Sequence, residues 1–370
     1  MMKIVAIFGT RPEGIKMAPI IKELRNETNL NCVCLNSAQH RGMLDQVLEI
    51  FSIVPEYDLN IMSQDQKLQD ITAKMITRIS AILADEKPQL VLVLGDTATT
   101  FAGAYAAFLQ QIPVGHVEAG LRTNQMYSPF PEEMYRQLVS RMATYHFAPT
   151  QDNRLNLLKE NILDDQIKVV GNTVIDALLD VTSKPVPQPV SELLKNDKKN
   201  IIVTTHRREN FNELKNVYFA INEILQNHKD VHVIFPVHKN PNVRKQIDRY
   251  LKPHERLSVV SSIDYEVFAH LLKKAFLVIT DSGGIQEEAV SLKVPVLVAR
   301  VSTERPEGVK AGILKLVGLS KESIYNEVSR LILNPSEYKM IANIPNPYGD
   351  GTAAKKIVEF IKNEAGSWES

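Results

Sequence analysis

What most constrains this chain is a rhythm. Short, mostly apolar runs recur at residues 3–8, 90–94, 114–117, 231–235 and 276–279. Each ends in a corner that holds glycine or a charged residue, and most corners lead into a stretch of helical period. Strands apolar on both faces belong to buried parallel sheets, and parallel neighbours need crossover helices. The alternation from residue 3 to about 170 therefore predicts one doubly wound α/β half. A second βαβ series begins at residues 200–204 and runs through 257–260 and 276–279. A length of 370 residues favours two domains over one.

The corners carry the chemistry. Ser282-Gly283-Gly284 lies between the strand 276–279 and a helix expected over 286–292, so it reads as a strand-to-helix turn. Two glycines let backbone approach a ligand, and a helix N-terminus offers unpaired N–H groups to an anion. Arg300 and Arg305 follow the next strand, 294–298, at the carboxyl end where open α/β sheets bind ligands. The local reading is a diphosphate site with cationic help, although an empty turn of the same kind fits this stretch taken alone.

In the first half, residues 9–14 read as a turn and 15–25 as a helix, so Arg11 and Lys16 can face one pocket. A merely solvated Lys16 is the plainer alternative. Asp96 follows strand 90–94 and Glu118 follows strand 114–117, which puts Arg11, Asp96 and Glu118 along one edge. Carboxylates that recur at strand ends pack poorly, which points to function. A proline-broken loop over 127–131 leads to Glu132-Glu133 and a helix expected over 134–144. His116 and His146 lie in strands and read as satisfied core histidines. Residues 146–149 read as the closing strand with 168–170 beside it, and 184–189 as a proline-rich surface loop.

Lys plus Arg equals Asp plus Glu at 43 each, so no net field recruits nucleic acid or a membrane surface. No apolar run reaches the length of a membrane span, and the first residues lack a signal-peptide pattern. Cys32 and Cys34 stand two apart in a strand, a poor geometry for a bridge, and no zinc spacing exists. The expected setting is the cytoplasm.

Several motifs fall in one order: Gly9-Thr10-Arg11-Pro12-Glu13, Ala38-Gln39-His40-Arg41, Gly95-Asp96-Thr97, His116-Val117-Glu118-Ala119-Gly120 and Pro131-Glu132-Glu133. Gly171-Asn172-Thr173, His206-Arg207-Arg208-Glu209-Asn210, Asp281-Ser282-Gly283-Gly284 and Thr303-Glu304-Arg305-Pro306-Glu307 complete it. With these motifs the chain resembles the non-hydrolysing UDP-N-acetylglucosamine 2-epimerases along essentially its whole length.

The resemblance implies two Rossmann-like doubly wound domains facing a cleft, as in the GT-B glycosyltransferases. The N-terminal domain would span 1–170, with a C-terminal helix over 352–365 crossing back to it, and the UDP-binding domain 171–351. It implies a cytoplasmic homodimer that interconverts UDP-GlcNAc and UDP-ManNAc for bacterial surface polysaccharide, with no organic cofactor and no metal. Asp96, Glu118 and Glu132 would do acid–base work at C2 of the sugar, with His206 beside the phosphates. Clustered carboxylates would raise one another's pKa. Arg11, Lys16 and Arg305 would engage diphosphate or sugar, Ser282, Gly283 and Gly284 would offer backbone donors, and Glu288 would accept from the ribose. Phe268 matches a position near the uracil, with plain core packing as its alternative. Gln39, His40, His238 and Arg207, together with Glu132, would surround a second, activating substrate site.

The chain departs from the family pattern at several positions. Leu94 stands where His is usual, and Tyr135 where Asn is usual. Gly42 and Asp65 stand where activated members carry Gln or Glu and Arg. The last pair predicts weak or absent activation by UDP-GlcNAc. Two other enzyme readings share parts of this pattern: a GT-B glycosyltransferase would keep the UDP half but not the carboxylates, and a hydrolysing epimerase would release free ManNAc. A nucleotide-sugar sensor would lack at least one carboxylate.

Overall fold

The computed structural model describes the chain apart from residues 40, 63–66, 206–212, 238–240, 262, 304 and 369–370. It divides into two compact units, Met1–Ala177 with Gly349–Ser370, and Leu178–Tyr348.

The first unit is built on seven parallel strands: β1 Met2–Phe8, β2 Leu30–Asn36, β3 Tyr57–Asp58, β4 Leu90–Leu94, β5 Val114–Val117, β6 Tyr145–Ala148 and β7 Ile167–Val169. Their order across the sheet is β3-β2-β1-β4-β5-β6-β7. The second has six: β8 Lys199–Thr204, β9 Val231–Pro236, β10 Leu257–Val260, β11 Leu277–Thr280, β12 Val296–Val298 and β13 Leu314–Leu316, ordered β10-β9-β8-β11-β12-β13. Both sheets are parallel and doubly wound, and each reverses direction beside its first strand. Such a switch point opens a crevice at the strands' carboxyl ends. In the first unit it lies between β1 and β4, in the second between β8 and β11.

The all-apolar strands sit where their sequence puts them. Every residue of β4 is buried, with helices covering both faces. Helix starts differ more from the sequence reading. The first helix runs Arg11–Asn26, so residues 11–14 are helix and not turn. Its start is fixed by a capping box: Thr10 Oγ1 accepts from the Glu13 N–H, and the Glu13 carboxylate accepts from the Thr10 N–H at 2.8 Å. The helix after the proline-broken loop is Glu132–Met142, which brings Glu132 and Glu133 into its first turn. An unexpected crossover helix, Gln151–Lys159, joins β6 to β7; Thr150 and Asn153 form its capping box. Another short helix, Gln188–Leu193, begins inside the proline-rich stretch.

The last helix, Ala353–Trp368, belongs to the first unit. Its Ala354, Ile357, Val358 and Ile361 share a core with Ile20, Ile21 and Leu24 of the first helix. Asp176 Oδ1 caps it by accepting from the Ala354 N–H at 2.9 Å. Cys32 and Cys34 are buried and free. Among the described residues no helix is long and apolar enough to cross a membrane.

Candidate active site

Because β1, β4 and β5 are adjacent and parallel, their carboxyl ends lie along one edge. The corners beyond them carry Gly9–Thr10, Gly95–Asp96 and Glu118. They are close-set: a Cβ on Gly95 would lie 3.5 Å from Glu118 Oε2. Glu118 itself has φ +63°, the left-handed region that a non-glycine residue occupies at a cost of roughly 1–2 kcal/mol. Such strain persists where the surroundings enforce it, often at functional sites.

Both carboxylates at this edge are paired with cations. Lys16 Nζ meets Glu118 Oε1, and both side chains are largely buried. Arg136 reaches back from the helix Glu132–Met142 and puts both Nε (2.7 Å) and Nη2 (2.6 Å) on Asp96 Oδ2. Its Nη1 donates to Glu133 Oε2 at 3.0 Å. Glu133 is fully buried and also accepts from the backbone N–H groups of Thr123 and Asn124 and from Gln137 Nε2.

Burial is the largest influence on the Asp96 carboxyl and raises its pKa; Arg136 opposes it, Glu118 adds to it, and Lys16 opposes it. The direction agrees with the sequence expectation, but desolvation ranks above the neighbouring carboxylate as its cause. Burial also pushes Glu133 up, yet its four donors outweigh that and hold its pKa below the usual carboxylate value. One guanidinium thus joins two carboxyls whose pKa values move in opposite directions.

Two further residues hold the corners in place. Glu13 Oε2 accepts from the Gly9 and Thr10 N–H groups, and its Oε1 accepts from Thr97 and Thr100, tying the β1 corner to the β4 corner. His116, in β5, lies 2.7 Å through Nε2 from the Gly95 carbonyl, immediately before Asp96. A carbonyl only accepts, so Nε2 carries the proton. Nδ1 has no hydrogen-bond partner among the described residues. His116 is therefore half satisfied, where the sequence reading made it a satisfied core residue. Burial first, and nearby positive charge after it, push its pKa down to about 3, so the ring is neutral.

Of the expected first-unit residues, Lys16, Asp96 and Glu118 come together. Arg11 is half-buried; no carboxylate pairs with it among the described residues, and its Nη1 lies 3.9 Å from Met43 Sδ. Glu132 is the first residue of its helix, with Oε2 buried and without a hydrogen-bond partner among the described residues. No described contact joins it to Asp96 or Glu118. Gln39 Oε1 accepts from Thr99 Oγ1 at 3.1 Å. Tyr135 stacks on Phe101 with ring centroids 5.1 Å apart, a packing role for that departure.

In the second unit the Ser-Gly-Gly corner follows β11. The helix runs Gly283–Ser291, so both glycines are its first residues and Ser282 is its N-cap, a correction to the turn read from the sequence. Ser282 makes no side-chain cap bond, which leaves the helix N-terminus without that partner. A Cβ on Gly284 would meet nothing within 4 Å, so there is room beside the backbone. Below the corner, Gln286 Nε2 donates to the Ser282 carbonyl at 3.1 Å, and Thr303 Oγ1 donates to Gln286 Oε1 at 2.6 Å. Arg305 pairs with the buried Glu287 through Nε. Breaking such a pair costs about 3–5 kcal/mol, so Glu287 orients this guanidinium. Tyr348 Oη accepts from the Gly308 N–H at 3.1 Å and supports the same loop. Glu288 is buried and Phe268 half-buried on the helix Tyr265–Lys273. His206, Arg207, His40, His238 and Asp65 lie outside the described residues.

Sequence reasoning passed over Arg136, Glu133, Glu13 and the hydrogen bond of His116. For Glu13 the Thr10-to-Glu13 capping spacing was a usable signal. Arg136 and His116 find their partners 40 and 21 residues away, and Glu133 is held by a loop backbone and by its own helix.

Two parallel doubly wound sheets, each with polar groups at its switch point, define an α/β protein of the GT-B-like class. The family model described as UDP-N-acetylglucosamine 2-epimerase matches residues 22–362. A relative from Escherichia coli O157:H7, named UDP-N-acetylglucosamine 2-epimerase, is 49% identical over 371 residues, covering 98% of this chain and 99% of that one. The crystal structure of the Neisseria meningitidis UDP-GlcNAc 2-epimerase bound to UDP-GlcNAc is similar at 46% identity and TM-score 0.89, covering 98% of this chain and 100% of its own. That of a Listeria monocytogenes protein described as a 2-epimerase gives 45% identity and TM-score 0.93, with 100% and 97% coverage. This chain belongs to the UDP-N-acetylglucosamine 2-epimerase family.

Proposed function

We propose that the protein interconverts UDP-GlcNAc and UDP-ManNAc by eliminating UDP and adding it back, without releasing free sugar. The observation that supports this reading best is the corner pair Lys16–Glu118 and Arg136–Asp96, two largely buried carboxylates with counter-ions at one switch point. The proton on C2 is weakly acidic, so inversion needs a positioned base and a leaving group that departs with its electrons. A first-unit carboxylate takes the C2 proton, the C1–O bond breaks with its electron pair passing to the diphosphate, and a C1–C2 double bond forms. The resulting 2-acetamidoglucal is protonated at C2 on the opposite face by a second acid, while the diphosphate oxygen re-forms the bond to C1.

Asp96, Glu118 and Glu132 are the acid–base candidates, with His206 at the phosphates. Arg11, half-buried without a carboxylate partner among the described residues, is suited to diphosphate or sugar, as are Lys16 and Arg305. In the second unit the Gly283 and Gly284 N–H groups donate to an anion at the helix terminus, Glu288 meets the ribose, and Phe268 lies by the uracil. We infer domains of 1–170 with 352–365, and 171–351, a cytoplasmic homodimer, and a role in supplying ManNAc for bacterial surface polysaccharide. Gly42, exposed and with open space around its Cα, carries no side chain to hold a second UDP-GlcNAc. The expected rate curve is therefore hyperbolic, and Gln39→Ala leaves its shape unchanged; a sigmoidal curve abolished by that substitution would refute this.

Positional isotope exchange tests the elimination. With 18O in the bridge between C1 and the diphosphate, cleavage and re-addition scramble the label into the non-bridging β-phosphate oxygens. Retention of the label in the bridge during epimerisation would exclude C1–O cleavage, and free ManNAc would identify the hydrolysing reaction.

A further inference from the structure

We propose that Arg136 is a positioning residue that aims the Asp96 carboxylate and pairs with its charge, and that Glu133 in turn fixes Arg136. The inference rests on the reading of Asp96 as an acid–base group. Its geometry is specific. Arg136 approaches one oxygen of Asp96 with two of its nitrogens, at 2.7 and 2.6 Å, and leaves Oδ1 outside the pair. The third nitrogen is spent on Glu133 at 3.0 Å. Glu133 is a rigid anchor: fully buried, it also accepts from the Thr123 and Asn124 N–H groups at 3.0 and 3.1 Å and from Gln137 at 3.2 Å. A carboxylate held by three other donors cannot turn to follow the guanidinium, so the guanidinium is set by it. A planar fork of donors is suited to bridging two carboxylates in this way.

The charged groups that face Asp96 come from three elements: Arg136 from the helix Glu132–Met142, Glu118 from the corner after β5, and Lys16 from the first helix. Burial and Glu118 favour the protonated form of Asp96; Arg136 is the largest influence against it, and Lys16 is smaller and already paired with Glu118. Arg136 is therefore the group that most opposes the upward push of burial on Asp96. The same chain of contacts ties Asp96 to residues 123–124, at the start of the segment that leads to Glu132. Orientation of one proposed acid–base group is thus linked to the backbone that presents another.

The test is the pH profile of kcat/KM for epimerisation in Arg136→Gln and Arg136→Lys, with UDP affinity and thermal melting measured alongside. Removing the cation raises the proton affinity of Asp96, so the acidic limb moves to higher pH, by about one to three units for Gln. The shift is smaller for Lys, which keeps the charge without the fork. Glu133→Gln gives a shift of the same sign. A lowered melting point or weaker UDP binding with an unmoved acidic limb would make Arg136 merely structural and overturn the proposal. If Arg136→Gln fails to fold, the Lys variant carries the same decision. Asp96→Asn separates the two levels: full activity in that variant overturns the acid–base reading itself, whereas its inactivity together with unshifted Arg136 profiles overturns only the present inference.

Discussion

The two switch points of this molecule are built alike and equipped differently. At the first, cation and carboxylate are paired with each other: Lys16 with Glu118, and Arg136 with both Asp96 and Glu133. At the second, the helix Gly283–Ser291 starts with two glycines and no side-chain cap, with open space beside Gly284. Proton transfer needs groups whose charge and direction are fixed in advance, since reorganising them during the reaction adds to the barrier. Binding an anion needs donors left open for it. One sheet topology thus carries two differently equipped corners, and the proposed division of labour follows that difference.

That contrast can be broken at either end. The largest effect is expected for Glu118→Gln, which keeps the shape but removes the charge that Lys16 pairs with. Its kcat should fall about 10²- to 10⁴-fold, while UDP affinity measured by calorimetry stays near that of the unaltered protein. Equal turnover would remove Glu118 from the acid–base work. Next comes Gly120→Ala, just beyond Glu118. Gly120 has φ +89°, and a Cβ there would lie 2.3 Å from the Asn153 carbonyl oxygen. Urea unfolding should show a loss of about 2–4 kcal/mol; an unchanged midpoint would contradict the tight corner.

Gly284→Val sharpens the second half of the comparison. The space beside Gly284 makes the substitution nearly neutral for folding, but it fills the approach to the helix N-terminus. UDP affinity should drop about tenfold or more, equivalent to about 1.4 kcal/mol, with the melting temperature little changed. Retained affinity would place the diphosphate elsewhere. A smaller effect is expected from His116. In the unfolded chain its ring titrates near 6.5, and in the fold its pKa is pushed down to about 3. Between those values only the unfolded chain takes up the proton, so this contribution to stability is complete above pH 6.5 and is lost as pH falls toward 3. Replacing it by Gln, which can still donate to the Gly95 carbonyl, should flatten the decline of melting temperature between pH 6.5 and 4.5. An identical slope would show that other groups set it.

Much of this was legible in the sequence because the signals were local. β4 and the helix Ala98–Leu109 lie at the bounds their apolar run and alanine-rich stretch indicate. Asp96 and Glu118 announced themselves as charges at strand ends. Helix starts were harder, because a cap is a hydrogen bond and not a composition. Thr10 with Glu13 draws residues 11–14 into helix, and the glycines after Ser282, which look like a turn, are a first helical turn kept open. Arg136 was invisible for another reason. Its partner stands 40 residues away, and only the packing of the helix Glu132–Met142 beside the β4 corner brings them within 2.7 Å. β3, two residues long, had no periodicity to read.

Epimerisation inverts C2, and proton NMR of the protein with UDP-GlcNAc in D2O, without added metal or nicotinamide, reads that carbon directly. Elimination and re-addition predict UDP-ManNAc appearing with deuterium at C2, and the same label entering the recovered UDP-GlcNAc as equilibrium is approached. UDP-ManNAc retaining its original C2 proton, or UDP with free ManNAc in its place, would contradict it.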